Sequence, residues 1–128
     1  MNYDEAKQLM STARNPNNGK PLKNNTRLYQ VGDNYEVRLH DNPIITITPT
    51  TFILDSCGYR TVTTKQRLNE FGFNNSHHIK VVQRKHKWYV EQWNFTRGEY
   101  YLTHFHDGME WTCGKDYFPL AYPVVYDP

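Results

Sequence analysis

The chain lacks most of the features that assign a protein to a class at first sight. It contains only two cysteines, Cys57 and Cys113, and their spacing matches no metal-binding or redox motif. A disulfide would require the two to meet in space, and the rest of the sequence favours a reducing compartment. No apolar run approaches the length of a membrane span, and the first residues do not resemble a signal peptide. We therefore expect a cytoplasmic protein with no membrane partner.

A complete catalytic or cofactor-binding motif is also missing. Gly58 is followed by threonines and a lysine, but the Gly-x-x-x-x-Gly-Lys frame of a phosphate-binding loop is absent. No sequence context marks a nucleophile. We predict a protein that acts by binding rather than by catalysis and that carries no cofactor.

Aromatic residues and an uneven charge distribution are what the chain does have. Ten tyrosines and three tryptophans among 128 residues can build the core of one domain, 1–128. Residues 60–97 hold eight basic and two acidic side chains, net +6, whereas residues 98–128 hold one basic and five acidic, net −4. A basic middle suits a polyanion, although attraction between two regions of the chain, or ordinary solvated edges, would give the same pattern.

The periodicity of the sequence predicts an α+β domain in three parts. Asn2 caps an N-terminal helix, and residues 1–25 form this helix and a polar connector. Short alternating strands joined by tight turns predict a mainly antiparallel, curved sheet over 26–113. Thr63 caps a short helix, 63–71, that packs on this sheet, and 114–128 form an extended aromatic tail.

Several segments between Pro21 and Trp111 resemble a family of small uncharacterised proteins of bacteriophages and mobile elements. The most specific segment is Tyr-Arg-Thr-Val-Thr-Thr-Lys at 59–65; the weaker ones are 25–28, 35–40, 44–47, 66–69, 88–90 and 107–109. The resemblance implies a viral origin and expression in the cytoplasm of a host bacterium. It supplies no catalytic residue.

Two segments carry cations that suit an anion. One surrounds the start of the short helix, where backbone N–H groups and the helix dipole favour phosphate. The other is the hairpin at 80–89, where cations would meet phosphates and rings would stack on bases. The predicted nucleic-acid or anion site comprises Arg60, Thr63, Thr64, Lys65, Arg67, Lys80, Arg84, Lys85, Lys87, Trp88 and Tyr89. Helix capping, an Arg60–Asp55 ion pair and cationic strand edges that prevent aggregation are the alternatives.

Two further groups of residues are weaker candidates. His104 and His106 occupy alternate strand positions, where they would share one face and could bind a divalent metal, although packing explains them equally well. The aromatic C-terminal region resembles the centre of a protein interface, unless its rings cover the sheet of the same chain. The interface residues predicted there are Trp111, Tyr117, Phe118, Tyr122 and Tyr126.

These observations favour a non-enzymatic phage accessory protein. It would bind nucleic acid, or a host complex that handles nucleic acid such as a defence nuclease, through the basic middle segment. Three alternatives stay open: a protein–protein interaction or structural module that uses the aromatic end, a homo-oligomer, and a small metal-dependent hydrolase around His104 and His106.

Overall fold

Two antiparallel sheets and two helices form the described part of the chain. The computed structural model describes residues 1–112 and the backbone of Val124 and Val125. Helix α1 is Tyr3–Ser11, and α2 is Val62–Arg67, which continues as a π-helical turn, Leu68–Gly72. The strands of this part of the chain are β1 (Lys20–Lys23), β2 (Thr26–Val31), β3 (Asn34–Leu39), β4 (Asn42–Ile47), β5 (Thr51–Leu54), β6 (Ile79–Arg84), β7 (Lys87–Asn94), β8 (Glu99–His104), β9 (Met109–Thr112) and β10 (Val124–Val125). In the same residues, no helix is long and apolar enough to cross a bilayer.

The strand order follows from the short connections. The first sheet has the order β1-β2-β3-β4-β5-β9, and the second has the order β10-β8-β7-β6. Neighbouring strands are antiparallel throughout the described pairings. The α+β prediction, with an N-terminal helix, mainly antiparallel sheets and one short helix, is confirmed.

The core consists of two rows of side chains on the inner face of the first sheet, closed by the inner face of the second. Strand register aligns each row, because paired residues point to the same side. The first row is Leu28, Val37, Ile45, Leu54 and Met109, and the second is Tyr35, Ile47, Phe52 and Trp111. All nine side chains are buried. The second sheet adds Ile79, Val81, Trp88, Val90 and Phe105 to the same cluster.

Helix α1 begins as predicted. The Asn2 side chain accepts a hydrogen bond from the Glu5 backbone N–H at 2.8 Å, which satisfies one donor of the first turn. Ala6 and Met10, four residues apart, are the buried positions of the helix. The connector after it is not wholly irregular, since it contains a 3₁₀ turn, Pro16–Asn18, and strand β1. Its Pro21 fits because β1 is the edge strand of its sheet.

The second helix joins the two sheets. Its π-helical turn packs on β4, β5 and β6, and Asn69 bonds both the N–H and the carbonyl of Val81 at 2.6 and 3.0 Å. A Cβ on Gly72 would lie 3.2 Å from a Leu54 methyl, so the small residue permits the close approach. The N-cap is Thr61, not Thr63, because the Thr61 hydroxyl accepts the Thr64 N–H and the helix starts one residue earlier, at Val62.

Candidate nucleic-acid interface

The second sheet has one face outside the main core cluster, and this face is covered in its middle, where Glu91 and Leu102 are only 7% and 2% exposed. Its pairing register arranges this outer face in four rows across β6, β7 and β8, about 6.8 Å apart along the strands. From the hairpin turn outward, the rows are Arg84 and Lys87; Val82, Tyr89 and His104; Lys80, Glu91 and Leu102; and His78, Trp93 and Tyr100. We call the first the basic row and the last the aromatic row. The predicted alternation in β6, with Lys80 and Arg84 opposite to Ile79 and Val81, is what creates this face.

The basic row ends in a strained turn. Lys85 and His86 join β6 to β7 with φ values of 50° and 66°, the left-handed conformation of a two-residue hairpin loop. Asn and Gly adopt this conformation at low cost, whereas a residue with a long side chain pays about 1 kcal/mol or more. The turn therefore places a cation and an imidazole at its tip, in a backbone conformation that neither residue favours.

Three lysines on this part of the protein are displayed to solvent. Lys80, Lys85 and Lys87 are exposed, and the described residues bring no carboxylate to ion-pair distance of any of them. Arg84 differs, because its guanidinium forms an ion pair with Glu91, which is buried. The basic row is thus partly neutralised within the sheet, and the lysines carry its outward charge.

The rings at the aromatic end of this face are exposed to solvent. Tyr100 is 49% exposed, and Phe95, just beyond β7, is 69% exposed. The ring centroids of Trp93 and Tyr100 are 4.8 Å apart, as are those of His78 and Phe95, and both pairs meet edge-on at 67°. Sequence reasoning missed this cluster, although the alternation of β7 continues to Trp93 and the aromatic content of 93–100 is visible in the sequence.

The two rings predicted to stack on bases do not share one environment. Trp88 is only 3% exposed and packs edge-on against Phe105 in the core, so it cannot reach a ligand. Tyr89 lies on the outer face, half-buried, with its ring 5.0 Å from that of His104. Arg60 lies 5.7 Å from the Trp88 ring centroid and 5.2 Å from that of Phe105, where cation–π contacts hold it against rings of the inner face, near the start of β7.

The corner at 57–67 is built differently from the predicted anion site. Arg67 is 8% exposed and donates from Nε to the Thr26 hydroxyl at 2.9 Å, so it is a buried structural residue rather than a docking cation. Thr64 is buried beside the capping hydroxyl of Thr61. Thr63 and Lys65 stay near the surface. The helix has only six residues, and the Thr61 hydroxyl already accepts one N–H of its first turn. Few free backbone donors and a weak dipole therefore remain for a phosphate.

A cleft of about 610 Å³ lies beside this corner. Its walls are Leu39, His40, Asn42, Ile44, Ser56, Tyr59, Thr61, Thr63 and Thr64. Two of its buried hydroxyls are committed to the fold, because Ser56 donates to Asp107 at 2.7 Å and Thr64 bonds Thr61. The described walls of the cleft therefore present hydrogen-bonding groups, two of which are already engaged within the fold.

The histidine candidates do not form a metal centre with other described residues. Within 1–112, no group of three or more His, Cys, Asp or Glu side chains is arranged to hold a metal ion. His104 ends β8 and His106 lies in the following loop, both exposed. Asp107 is used structurally, since one carboxylate oxygen accepts hydrogen bonds from the Ser56 N–H and hydroxyl.

The predicted aromatic interface divides at the end of β9. Trp111 is fully buried, with its ring centroid 5.5 Å from that of Phe73, so its assignment to an interface is wrong. Tyr117, Phe118, Tyr122 and Tyr126 lie outside the described residues, as does Cys113. The Cys57 thiol donates to the Pro43 carbonyl at 3.3 Å. Burial, with a contribution from Asp55, raises the pKa of this thiol to about 11, which keeps it protonated and unreactive at neutral pH.

Comparison with known proteins identifies the family. Residues 4–112 match the family model of the Kyanoviridae Gp96 protein, so the chain belongs to this family of phage proteins. No match to the chain was found among curated proteins or among solved structures. The expected phage origin is confirmed. The family name specifies neither an activity nor a partner. That the Tyr-Arg-Thr segment at 59–65 marks the family stays a prediction.

Proposed function

We propose that this phage protein binds nucleic acid in the cytoplasm of the infected bacterium, without catalysing a reaction. The outer face of the second sheet and the adjoining hairpin turn make the contact. The observation that carries the proposal is the exposure of Lys80, Lys85 and Lys87 on one hairpin, with no carboxylate of the described residues paired to them.

Electrostatics makes phosphate the natural ligand for these lysines. A protein that places cations along a nucleic-acid backbone releases condensed counterions, and this release supplies most of the sequence-independent affinity. Lysine suits such contacts because its ammonium is a point charge on a flexible stem and needs no fixed geometry. The three exposed lysines on one hairpin give it a favourable local field.

The strained turn is consistent with the same interpretation, although the β3–β4 turn at His40 and Asp41 has the same conformation. Strained backbone persists where the surrounding structure enforces it, and such sites cluster at functional positions. Lys85 and His86 occupy left-handed positions that Asn-Gly would fill at lower cost. Their side chains add one cation and one hydrogen-bonding ring at the point of the hairpin farthest from the rest of the sheet.

Arg60 contributes from the side. Its contacts with Trp88 and Phe105 hold the guanidinium at the end of the sheet where Lys87 begins β7. A guanidinium stacked on a ring can still donate hydrogen bonds to a phosphate from its edge, because the cation–π contact uses only one face of the guanidinium plane. Phosphates of a host complex that handles nucleic acid, such as a defence nuclease, would meet the same surface.

The experiment compares two double variants with equal charge change. Lys85→Ala/Lys87→Ala removes two cations from the hairpin, and Lys7→Ala/Arg14→Ala removes two exposed cations at or beyond helix α1. Both lower the net charge from +2 to 0. Binding of a labelled oligonucleotide is measured by fluorescence anisotropy at low salt.

The hairpin variant is expected to bind at least about fivefold more weakly, which corresponds to roughly 1 kcal/mol for two surface contacts. The α1 variant is expected to bind like the unmodified protein. Equal losses in both variants would show that only net charge matters and would overturn the assignment of the surface. Absence of binding to both duplex and single strand would overturn the function itself.

A further inference from the structure

The aromatic row and Phe95 form a group of rings at the surface, outside the main core cluster. The main core cluster contains none of His78, Trp93, Phe95 and Tyr100. Phe95 is 69% exposed, and an apolar ring left in water forgoes the stabilisation that burial gives. The rings meet edge-on rather than face to face, so the faces of Phe95 and Tyr100 are accessible.

From this arrangement we propose that the nucleic acid bound by the outer face is single-stranded, and that its bases stack on Trp93, Phe95 and Tyr100. This inference rests on the function proposed above. In a duplex, each base is already stacked between its neighbours and presents only edges in the grooves. A single strand presents base faces, for which exposed aromatic rings are the usual protein partner.

Charge and ring positions on the sheet match such a strand. Three row spacings separate the basic row from the aromatic row, about 20 Å in total. At a rise of about 3.4 Å per stacked nucleotide, this distance accommodates about six nucleotides. Because Glu91 and Leu102 between the two rows are buried, the strand would follow the β6 side of the face, where Lys80 is exposed. Lys80 lies one row from His78 on the edge strand β6, so a cation stands beside the rings as well as at the turn.

Two complementary features therefore favour a single strand as the ligand. Lysines at one end attract the phosphates, and rings at the other end accept bases of any sequence, because every base has a π face. A membrane surface or a protein would also meet cations and rings, but neither offers phosphates together with exposed base faces, the two groups that lysines and aromatic rings bind in a single strand.

The test uses the full chain and two probes, a 12-nucleotide oligo(dT) and a duplex of equal length, in anisotropy titrations at one salt concentration. Phe95→Ala and Tyr100→Ala are each expected to weaken oligo(dT) binding by about 5- to 150-fold, the range of one base–aromatic stack. Duplex binding should be weaker than oligo(dT) binding and unaffected by either change. Tyr100→Phe keeps the ring and should retain affinity.

A matched control is Tyr59→Ala, since Tyr59 is 60% exposed but lies at the cleft beside the corner. It should leave oligo(dT) binding unchanged. Trp93 offers a second measurement that does not depend on affinity. Trp88 and Trp111 are buried, so quenching of tryptophan fluorescence by oligo(dT) should disappear in Trp93→Phe.

The outcomes separate the inference from the function on which it rests. If the lysine variants weaken binding while Phe95→Ala, Tyr100→Ala and Trp93→Phe change neither affinity nor quenching, the protein binds nucleic acid but the stacking inference is wrong. Duplex affinity equal to oligo(dT) affinity would overturn the inference in the same way. If neither probe binds, the proposed function fails first.

Discussion

The two sheets differ in whether the cations on them have partners. Arginines beside the first sheet have partners within the protein: Arg38 lies 3.6 Å from Glu36 and 4.2 Å from the Tyr29 ring centroid, Arg27 donates to the Asn18 carbonyl, and Arg67 donates to Thr26. The hairpin of the second sheet instead displays Lys80, Lys85 and Lys87 without a carboxylate partner among the described residues.

The difference shows why the number of cations in a segment is a poor guide to a binding surface. Arg67 and Lys87 contribute equally to the basic middle of the sequence. In the fold, one satisfies a buried hydroxyl and the other points into solvent. Removing the first should therefore affect stability, and removing the second should affect binding.

Arg67→Ala is the substitution with the largest expected effect on the fold. It removes the donor to Thr26 and leaves a cavity, and we expect a loss of about 1–3 kcal/mol in the free energy of unfolding. Lys87→Ala, at an exposed position, should stay within about 0.5 kcal/mol of the unmodified protein. Urea denaturation followed by far-UV circular dichroism measures both. Equal stability of the two variants would remove the distinction between engaged and displayed cations.

A smaller effect is expected from exchanging the turn. Lys85→Asn/His86→Gly provides residues that favour the left-handed conformation, so the double variant should be more stable, by about 1 kcal/mol. It should also bind oligonucleotides more weakly, because it removes the cation at the tip. Thermal unfolding and anisotropy titrations on the same sample measure the two changes. A turn that gains stability without losing affinity would show that its strain has no role in binding.

Local signals in the sequence were sufficient for much of the fold. The sequence predicts Asn2 as a helix cap and tight turns between short strands, and in the structure Asn2 caps α1 and the turns contain residues with positive φ such as Gly32 and Gly108. The cap of α2 was misplaced by two residues because three threonines, Thr61, Thr63 and Thr64, compete for one role within four positions. Only tertiary structure decides which hydroxyl meets the first free N–H group.

The candidate site was harder to predict, because the burial of a residue depends on which sheet it joins. Trp111 and Trp88 belong to the inner faces of the two sheets, whereas Trp93 lies on the outer face. The sequence contains three similar tryptophans near strand positions, and no local pattern indicates that β9 pairs with β5 while β8 pairs with β7. The aromatic row emerges only when His78, Trp93 and Tyr100 align across three strands.

The most direct test of the account is the salt dependence of oligonucleotide binding by the unmodified protein. If the three displayed lysines contact phosphates, log K should fall with log salt concentration with a slope of about −2 or steeper for a single strand. The Lys85→Ala/Lys87→Ala variant should reduce that slope by roughly 1.4. A binding constant that stays unchanged between about 50 and 200 mM salt would contradict phosphate contacts by the hairpin.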